Sequence, residues 1–400
     1  MNKKAVSILL AMSMVVSLGA CVETTSGGGT SDSSASAQNS TSETGGESKG
    51  VIGYNYFASG DYALDTLANN TKHAIESCGY TAQSVCNNGS LDQLVTDVEN
   101  MIASGVDGLV LWIPNDSLYE TVAQICEDAQ VPFTLSDKVP TDKAIIERLE
   151  ENYTMYKGGV TPDNYSYGVQ MAEFALDQGY ETAFILASGI GDASGTPRIE
   201  GFRDVFEEAG GMVLGEQHTD DSNQAVTQAE DMYLANPDAD CIMATGASTF
   251  GTAALETLRK YDDHNMKIIT ADFDQTILQS MKEEDYVDFL IGDFLVSGTY
   301  SSVLLINALE GTPMTDEDGS APLVDMVPAF PIPVEQQDLF TKYIAEDNIY
   351  MADEIQAMLG MSLEDFEENV VKTYSLESRL QAKYDAGMIS DEEMSAAGLK

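Results

Sequence analysis

The sequence predicts an α/β fold with two similar lobes, each built on a parallel sheet. From Val51 onward, short apolar runs alternate with amphipathic helical segments, and this alternation restarts after an irregular stretch at 139–160. Beyond about Pro331 the composition becomes acidic and loses strand signals. Alternating strands and helices require a parallel sheet with right-handed crossovers and helices on both faces. We therefore expect two lobes followed by a helical C-terminal segment.

The first lobe begins with four predicted strands separated by three amphipathic helices. Ser90 and Ser117 each precede Gln or Glu by three residues, a spacing that lets the two side chains cap a helix start. Gly79 and Gly105 follow helices at positions where glycine commonly ends them. The predicted strands are 51–57, 80–86, 106–113 and 131–135.

The second half repeats the pattern. Between the two halves, a short helical piece is expected near 143–156. The C-terminal region, 331–400, is expected to be either an appended helical segment or a partly disordered end. The predicted strands are 182–186, 212–214, 241–244, 267–270 and 289–291, and the predicted helices are 165–178, 201–209, 225–235, 251–261 and 297–309.

The strand ends of the first lobe indicate where a ligand would bind. In open parallel sheets, ligands lie beyond the carboxyl ends of the strands. Asp137 and the turn 112–116 follow two such strands, so we expect them to form one wall of a site. Trp112, the single tryptophan, is either a core residue or a platform for a ligand.

Composition and motif spacing exclude several classes of function. A formal net charge of −47 repels nucleic acid and anionic lipid headgroups, so neither is an expected partner. The three histidines, His73, His218 and His264, show no metal-ligand spacing and accompany no nucleophile motif. The sequence therefore predicts a non-enzymatic protein without metal or cofactor.

The N-terminus has the pattern of an export signal. Lys3 and Lys4 precede an apolar run at 5–16, which is too short to span a bilayer. The ending Leu-Gly-Ala-Cys at 18–21 resembles a bacterial lipobox, which implies cleavage before Cys21 and diacylation of its thiol. An ordinary signal peptide is the alternative. Residues 22–50, rich in Ser, Thr and Gly, are expected to form a flexible tether.

Four cysteines follow the lipobox: Cys78, Cys86, Cys126 and Cys241. They contain no Cys-x-x-Cys pair. Export makes a disulfide possible, with Cys78 and Cys86 nearest in sequence, and the alternative is four small buried apolar side chains.

Five stretches together resemble the type I periplasmic-binding-protein family, in particular the sugar-binding proteins of ABC importers related to ribose-binding protein. Each stretch alone is a weak match, and their order over residues 51–330 carries the resemblance. The stretches are GVDGLVLWIPND at 105–116, VPFTLSDK at 131–138, DNYSYG at 163–168, GTPRIEGF at 195–202 and DFD at 272–274.

The resemblance implies two Rossmann-like lobes joined by a three-strand hinge that closes on a ligand. The crossings would fall near Thr161-Pro162, Gly292 and Phe330. This gives five regions: the signal peptide and lipobox at 1–21, the tether at 22–50, lobe one at 51–160 with 293–330, lobe two at 161–292, and an acidic helical extension at 331–400.

The resemblance also implies ligand-binding residues. Arg198 matches the family arginine, although it could instead be a surface residue that pairs with Glu200. Asp274 and Asp137 match family aspartates at strand ends, and Lys138 stands where an arginine usually follows. The remaining candidates are Asp61, Tyr62, Trp112 and Asp293.

Several positions depart from the family pattern. Ile113 replaces an expected asparagine, Ala247-Ser248 replaces an Asn-Asp pair, and Gly292 replaces a glutamine. The ligand is then either less hydroxylated than a pentose or held by acids and aromatic rings. The glycines at 189, 191 and 195 are interpreted as the loop that positions Arg198, since their spacing is one residue too long for a dinucleotide motif.

The function implied is an extracytoplasmic lipoprotein that captures a small polar solute, a sugar, and delivers it to an ABC permease as a monomer. The alternatives are a sensory protein that presents its ligand to a membrane receptor, a binder of a non-sugar ligand such as a nucleoside, and a structural surface protein.

Overall fold

The computed structural model describes residues 48–261, 265–292 and 294–400. The predictions for Cys21, for most of the tether, for His264 and for Asp293 lie outside these residues. Within the described residues, no helix is long and apolar enough to cross a membrane.

Twelve strands are present in the described part of the chain. They are β1 (Val51–Tyr56), β2 (Thr81–Cys86), β3 (Gly108–Leu111), β4 (Phe133–Ser136), β5 (Tyr156–Pro162), β6 (Thr182–Ala187), β7 (Met212–His218), β8 (Cys241–Ala244), β9 (Lys267–Ala271), β10 (Val287–Gly292), β11 (Leu323–Val327) and β12 (Phe330–Pro331).

Fifteen α-helices accompany these strands in the same described residues. They are α1 (Tyr62–Ser77), α2 (Leu91–Ser104), α3 (Asp116–Ala129), α4 (Lys143–Asn152), α5 (Asn164–Asp177), α6 (Gly195–Glu208), α7 (Ser222–Ala235), α8 (Thr252–Lys260), α9 (Gln275–Glu283), α10 (Val296–Leu309), α11 (Gln337–Phe340), α12 (Ala352–Ala357), α13 (Leu363–Phe366), α14 (Leu376–Asp385) and α15 (Asp391–Ala396).

The strands form two sheets with the same order. The first sheet is β11-β5-β4-β3-β1-β2, and the second is β12-β10-β9-β8-β6-β7. All pairings are parallel except that of β12 with β10. Strands β3, β4 and β8 are buried along their whole length, as expected for parallel strands covered by helices on both faces. This confirms the predicted α/β architecture of two similar lobes.

The chain passes between the sheets three times. It leaves the first sheet after β5, returns from β10 into α10, and leaves again between β11 and β12. Helix α10 packs on the first sheet, where the Ser301 hydroxyl donates to the Leu135 carbonyl oxygen at 2.8 Å. The two lobes are therefore joined by three adjacent crossings of the chain.

The C-terminal extension is helical and packed, which agrees with the first of the two alternatives. Phe340, Phe366 and Leu380 are fully buried. The extension contacts α1, where the Ile349 N–H donates to Asn70 Oδ1 at 2.9 Å. Its acidic residues are exposed or partly exposed, so this packing does not bury them.

One predicted helix ends earlier than expected. Helix α4 stops at Asn152, and Tyr156 begins β5, where its ring packs on Phe133 at 5.5 Å. Strand β5 was not predicted because its two glycines weaken the strand pattern in the sequence. Gly158 has φ +117°, and a Cβ there would lie 2.7 Å from the Pro322 carbonyl oxygen.

The four cysteines of the described residues carry free thiols. Cys78, Cys126 and Cys241 are buried, and Cys86 is partly exposed. Burial raises the pKa of the Cys78 thiol to about 11, so it remains protonated at neutral pH.

Candidate functional site

A cavity of about 280 Å³ lies between the lobes, at the carboxyl ends of strands from both sheets. This is where parallel sheets bind ligands. Its charged walls are Asp61, Asp137 and Lys138 from the first lobe and Asp192, Arg198 and Asp272 from the second. Its aromatic walls are Trp112, Phe250, Phe273 and Phe294.

Asp137 is buried in the cavity wall and held by Trp112. The Trp112 Nε1–H donates to Asp137 Oδ2 at 2.8 Å. Burial raises the pKa of the Asp137 carboxyl to about 6, although the Lys138 charge and the Trp112 N–H both lower it. The Asn55 side chain bonds the Trp112 backbone twice. The Trp112 N–H donates to Asn55 Oδ1, and Asn55 Nδ2 donates to the Trp112 carbonyl oxygen. Trp112 is only 7% exposed and also lines the cavity. Its role as a platform for a ligand stays a prediction.

Two aspartates at the ends of matching strands have strained backbones. Asp137 follows β4 and has φ 64°, and Asp272 follows β9 and has φ 61°. The Lys138 N–H donates to the Ser136 carbonyl oxygen at 2.7 Å, which closes a tight turn around Asp137. A non-glycine residue in this region costs on the order of 1–3 kcal/mol, and such strain is concentrated at functional sites. Each lobe therefore places one aspartate with a strained backbone in the wall of the same cavity.

Arg198 is the most heavily bonded side chain of the site. Its Nη1 and Nη2 donate to the two carboxylate oxygens of Asp272 at 2.8 and 3.0 Å. Nε donates to Asn164 Oδ1 at 2.9 Å, and Nη1 donates also to the Thr245 carbonyl oxygen at 2.7 Å. The guanidinium lies 4.5 Å above the Tyr167 ring centroid. Of its five N–H groups, one on Nη2 has no acceptor among the described residues and is available to a ligand.

Two glycines allow α6 to place Arg198 at this depth. A Cβ at Gly168 would lie 1.9 Å from the Arg198 carbonyl oxygen, and a Cβ at Gly201 would lie 2.2 Å from the Tyr165 carbonyl oxygen. Helices α5 and α6 can approach this closely only because both positions lack a side chain. Arg198 is 2% exposed, so the alternative of a surface arginine paired with Glu200 does not describe it.

Lys138 extends from the first lobe to the second. Its ammonium donates to Ser194 Oγ at 2.6 Å and lies 3.7 Å from Asp192 Oδ2. Asp192 also accepts the Gly195 N–H at 2.6 Å at the start of α6. Burial alone would raise the pKa of Asp192, but Lys138 and the backbone N–H groups hold it below its usual value. The lobes are thus joined across the cavity by an ion pair.

Four of the predicted ligand-binding residues meet in this cavity. Asp61 lines it, and its carboxylate also caps α1 by accepting the Ala63 and Leu64 N–H groups at 3.1 and 3.0 Å. The other three are Trp112, Asp137 and Arg198.

Two other predicted residues, Tyr62 and Asp274, do not line the cavity. The Tyr62 ring packs behind Phe273 at 5.5 Å, so it supports the wall without forming it. Asp274 caps α9, where it accepts the Thr276 N–H at 2.7 Å. The aspartate two residues earlier, Asp272, lines the cavity instead, because β9 ends there and the chain turns away. Asp293 lies outside the described residues.

Sequence reasoning missed several further residues of the site, among them Asp272, Asp192 and Phe250. Asp272 could have been found by aligning the two lobes, since it follows β9 as Asp137 follows β4. Asp192 lay in a loop interpreted only as support for Arg198. Phe250 comes from a π-helical turn, Ala247–Gly251, that precedes α8, and no local pattern predicts such a turn.

The described residues contain no cluster of His, Cys, Asp and Glu that could hold a metal ion. The cavity can instead accept hydrogen bonds through carboxylates, donate one through Arg198, and contact apolar faces through aromatic rings. This combination suits a small polar solute with hydroxyl groups.

Comparison with known proteins places the chain in a family. Residues 52–313 match the model of the periplasmic binding protein domain. A comparison with curated protein sequences gave no match.

Solved structures share the fold at low sequence identity. An ABC transporter solute-binding protein from Burkholderia graminis C4D1M, in complex with D-arabinose, has 17% identity and a TM-score of 0.61 over 73% of this chain and 98% of its own. A solute-binding protein from Bacillus halodurans C-125 with bound myo-inositol has 18% identity and a TM-score of 0.59 over 74% and 99%. A periplasmic ribose ABC transporter protein from Conexibacter woesei DSM 14684 has 14% identity and a TM-score of 0.61 over 75% and 97%. The chain therefore belongs to the periplasmic binding protein family, which binds solutes outside the cytoplasm and is not enzymatic.

Proposed function

We propose that this protein captures a sugar between its lobes and delivers it to an ABC importer. The observation that carries the proposal is the interlobe cavity, in which Asp137, Arg198 and Asp272 converge among aromatic rings. Sugar hydroxyls donate to carboxylates and accept from a guanidinium, and sugar C–H faces pack on aromatic rings. The solved structures of similar fold include proteins with bound D-arabinose and myo-inositol, which supports the same ligand class.

Isothermal titration calorimetry tests the ligand class. We expect at least one saccharide to bind with micromolar or tighter affinity in a panel of D-ribose, L-arabinose, D-galactose, D-glucose, common disaccharides and myo-inositol. Adenosine and the twenty amino acids serve as the contrasting ligands. Tight binding of adenosine or an amino acid, with no saccharide bound, would overturn the proposal.

We also propose that lipidated Cys21 anchors the protein to the outer face of the cell membrane, where it acts as a monomer. The support is the Leu-Gly-Ala-Cys sequence at 18–21 and the polar tether that follows it. A single diacylated residue supplies two chains, which is enough for stable anchoring.

The variant Cys21→Ser tests the anchor. In a bacterial host, we expect the wild-type protein in the membrane fraction and the variant outside it, because the thiol is the acylation site. Cys86→Ser, which changes a partly exposed cysteine of the folded part, is the matched control and should remain in the membrane fraction. Equal distribution of Cys21→Ser and wild type would contradict the proposal.

A further inference from the structure

A second chamber adjoins the cavity described above. This outer chamber has a volume of about 530 Å³ and is lined by Phe57, Leu91, Pro114, Ile190 and Asp220, among others. It shares Trp112, Lys138, Asp192 and Phe250 with the inner cavity. The two chambers therefore share a wall at the boundary between the lobes.

The size of the inner cavity limits what it can hold. At about 280 Å³ it lies just below the roughly 300–1,000 Å³ that ligand pockets span, so it suits one small ring. With the outer chamber, the cleft lies well inside that range. A single monosaccharide in the inner cavity would leave the outer chamber unused.

Apolar side chains from both lobes line the outer chamber. Phe57 and Trp112 form a tilted pair with ring centroids 5.2 Å apart, and Phe250 comes from the second lobe. Ile190 lies on the loop before α6 and is 88% exposed, although it lines a concave surface. Isolated exposed apolar residues are common, but apolar side chains from both lobes around one concavity indicate a ligand face.

Polar groups are present beside these apolar walls. Asn115 and Asp220 line the outer chamber, and Asp192 with Lys138 lies at its boundary with the inner cavity. Aromatic and aliphatic faces with a few polar groups match a second sugar ring better than a wholly apolar substituent.

We infer that the cleft binds a disaccharide, with one ring in the inner cavity and the second in the outer chamber. The inference rests on the proposed sugar-binding function and names the size of the ligand. Ile190 and Phe57 then contact the second ring, while Asp137, Arg198 and Asp272 contact the first. Lys138 and Asp192 flank the bond between the rings.

Calorimetry with matched pairs tests the inference. The probes are D-glucose with maltose and cellobiose, D-galactose with lactose and melibiose, and D-xylose with xylobiose, each beside the 4-nitrophenyl glycoside of the same monosaccharide. We expect one disaccharide to bind at least tenfold more tightly than its monosaccharide and than the nitrophenyl glycoside. A monosaccharide that binds as tightly as its disaccharides would overturn the inference while leaving the proposed function intact.

A second measurement locates the second ring. We expect Ile190→Ser to lower the ratio of disaccharide to monosaccharide affinity about fivefold, because it removes an apolar contact with the second ring only. Leu234→Ser is the matched control, since Leu234 is 62% exposed on α7 and lines neither chamber. An unchanged ratio in Ile190→Ser would overturn the placement. Binding of a nitrophenyl glycoside above every disaccharide would assign the outer chamber to an aromatic substituent, and binding of no saccharide would remove the proposed function and this inference together.

Discussion

The variant Arg198→Ala is expected to lose about 100-fold or more in sugar affinity and to destabilise the second lobe. Arg198 is 2% exposed and forms a two-point ion pair with Asp272. Its removal leaves a carboxylate without its partner, and breaking a buried pair in this way costs about 3–5 kcal/mol. Part of that cost lowers the affinity for the sugar, because Asp272 is then misplaced and the guanidinium that would donate to the ligand is absent. Calorimetry measures the affinity, and urea unfolding followed by circular dichroism measures the stability.

The matched control, Arg203, lies five residues further along the same helix. Arg203 pairs with Glu207 and Glu216 at the surface, with its side chain 33% exposed. Arg203→Ala should cost about 1 kcal/mol or less and leave sugar affinity unchanged. An equal effect of Arg198→Ala and Arg203→Ala on affinity would mean that the sugar does not bind in this cavity.

A second pair of variants distinguishes two neighbouring aspartates. Asp272→Asn should weaken sugar binding, because it removes the charge that holds Arg198. Asp274→Asn should leave binding unchanged, since Asn also caps helices well and Asp274 lies outside the cavity. The reverse result would support the sequence assignment of Asp274 over the position seen in the structure.

The variant Asp137→Asn is expected to increase stability above pH 6 while it abolishes sugar binding. Burial raises the pKa of the Asp137 carboxyl from 3.8 to about 6, so the folded protein holds this proton more tightly than the unfolded chain. The contribution of Asp137 to stability is therefore complete below pH 4 and is lost as the pH rises through 6. A shift of about two pKa units corresponds to about 3 kcal/mol as an upper limit. Asn removes the charge and retains an oxygen for the Trp112 N–H.

Urea unfolding at two pH values measures this effect. At pH 7.5 we expect Asp137→Asn to be more stable than wild type by about 1–3 kcal/mol, and at pH 4 we expect no difference. Asp128→Asn, which changes an exposed carboxylate on α3, should match wild type at both values. A destabilised Asp137→Asn at pH 7.5 would contradict the explanation that the buried charge opposes folding. Wild-type sugar affinity should also fall as the pH drops below 6, since a protonated Asp137 accepts fewer hydrogen bonds.

Much of the fold follows from local patterns in the sequence. The apolar runs of β3 and β4 and the capping residue Ser90 predict their elements because hydrophobic periodicity and cap chemistry act over a few residues. Helix α9 and strand β5 were not predicted. Strand β5 depends on Gly158, where a side chain would collide with the Pro322 carbonyl oxygen of the loop before β11.

Part of the site could also be predicted, because some of its residues are placed by local patterns. Asp137 follows its strand directly, so its position at the sheet edge can be read from sequence. The hydrogen bond from Lys138 to Ser194 of the other lobe was not predicted. Such a contact joins residues 56 positions apart and depends on how the lobes meet.

The family, the alternation of strands and helices, and the carboxylate after β4 are properties of short stretches, and the sequence alone determines them. The pairing of Arg198 with Asp272, the position of Asp274 outside the cavity and the wall that the two chambers share were determined only by the folded structure. Each of these depends on the direction in which the chain turns after a strand and on distances between the lobes. Those directions are set by the backbone turns at φ 64° and 61° and by the helix contact at Gly168. Neither feature can be recognised from hydrophobic periodicity.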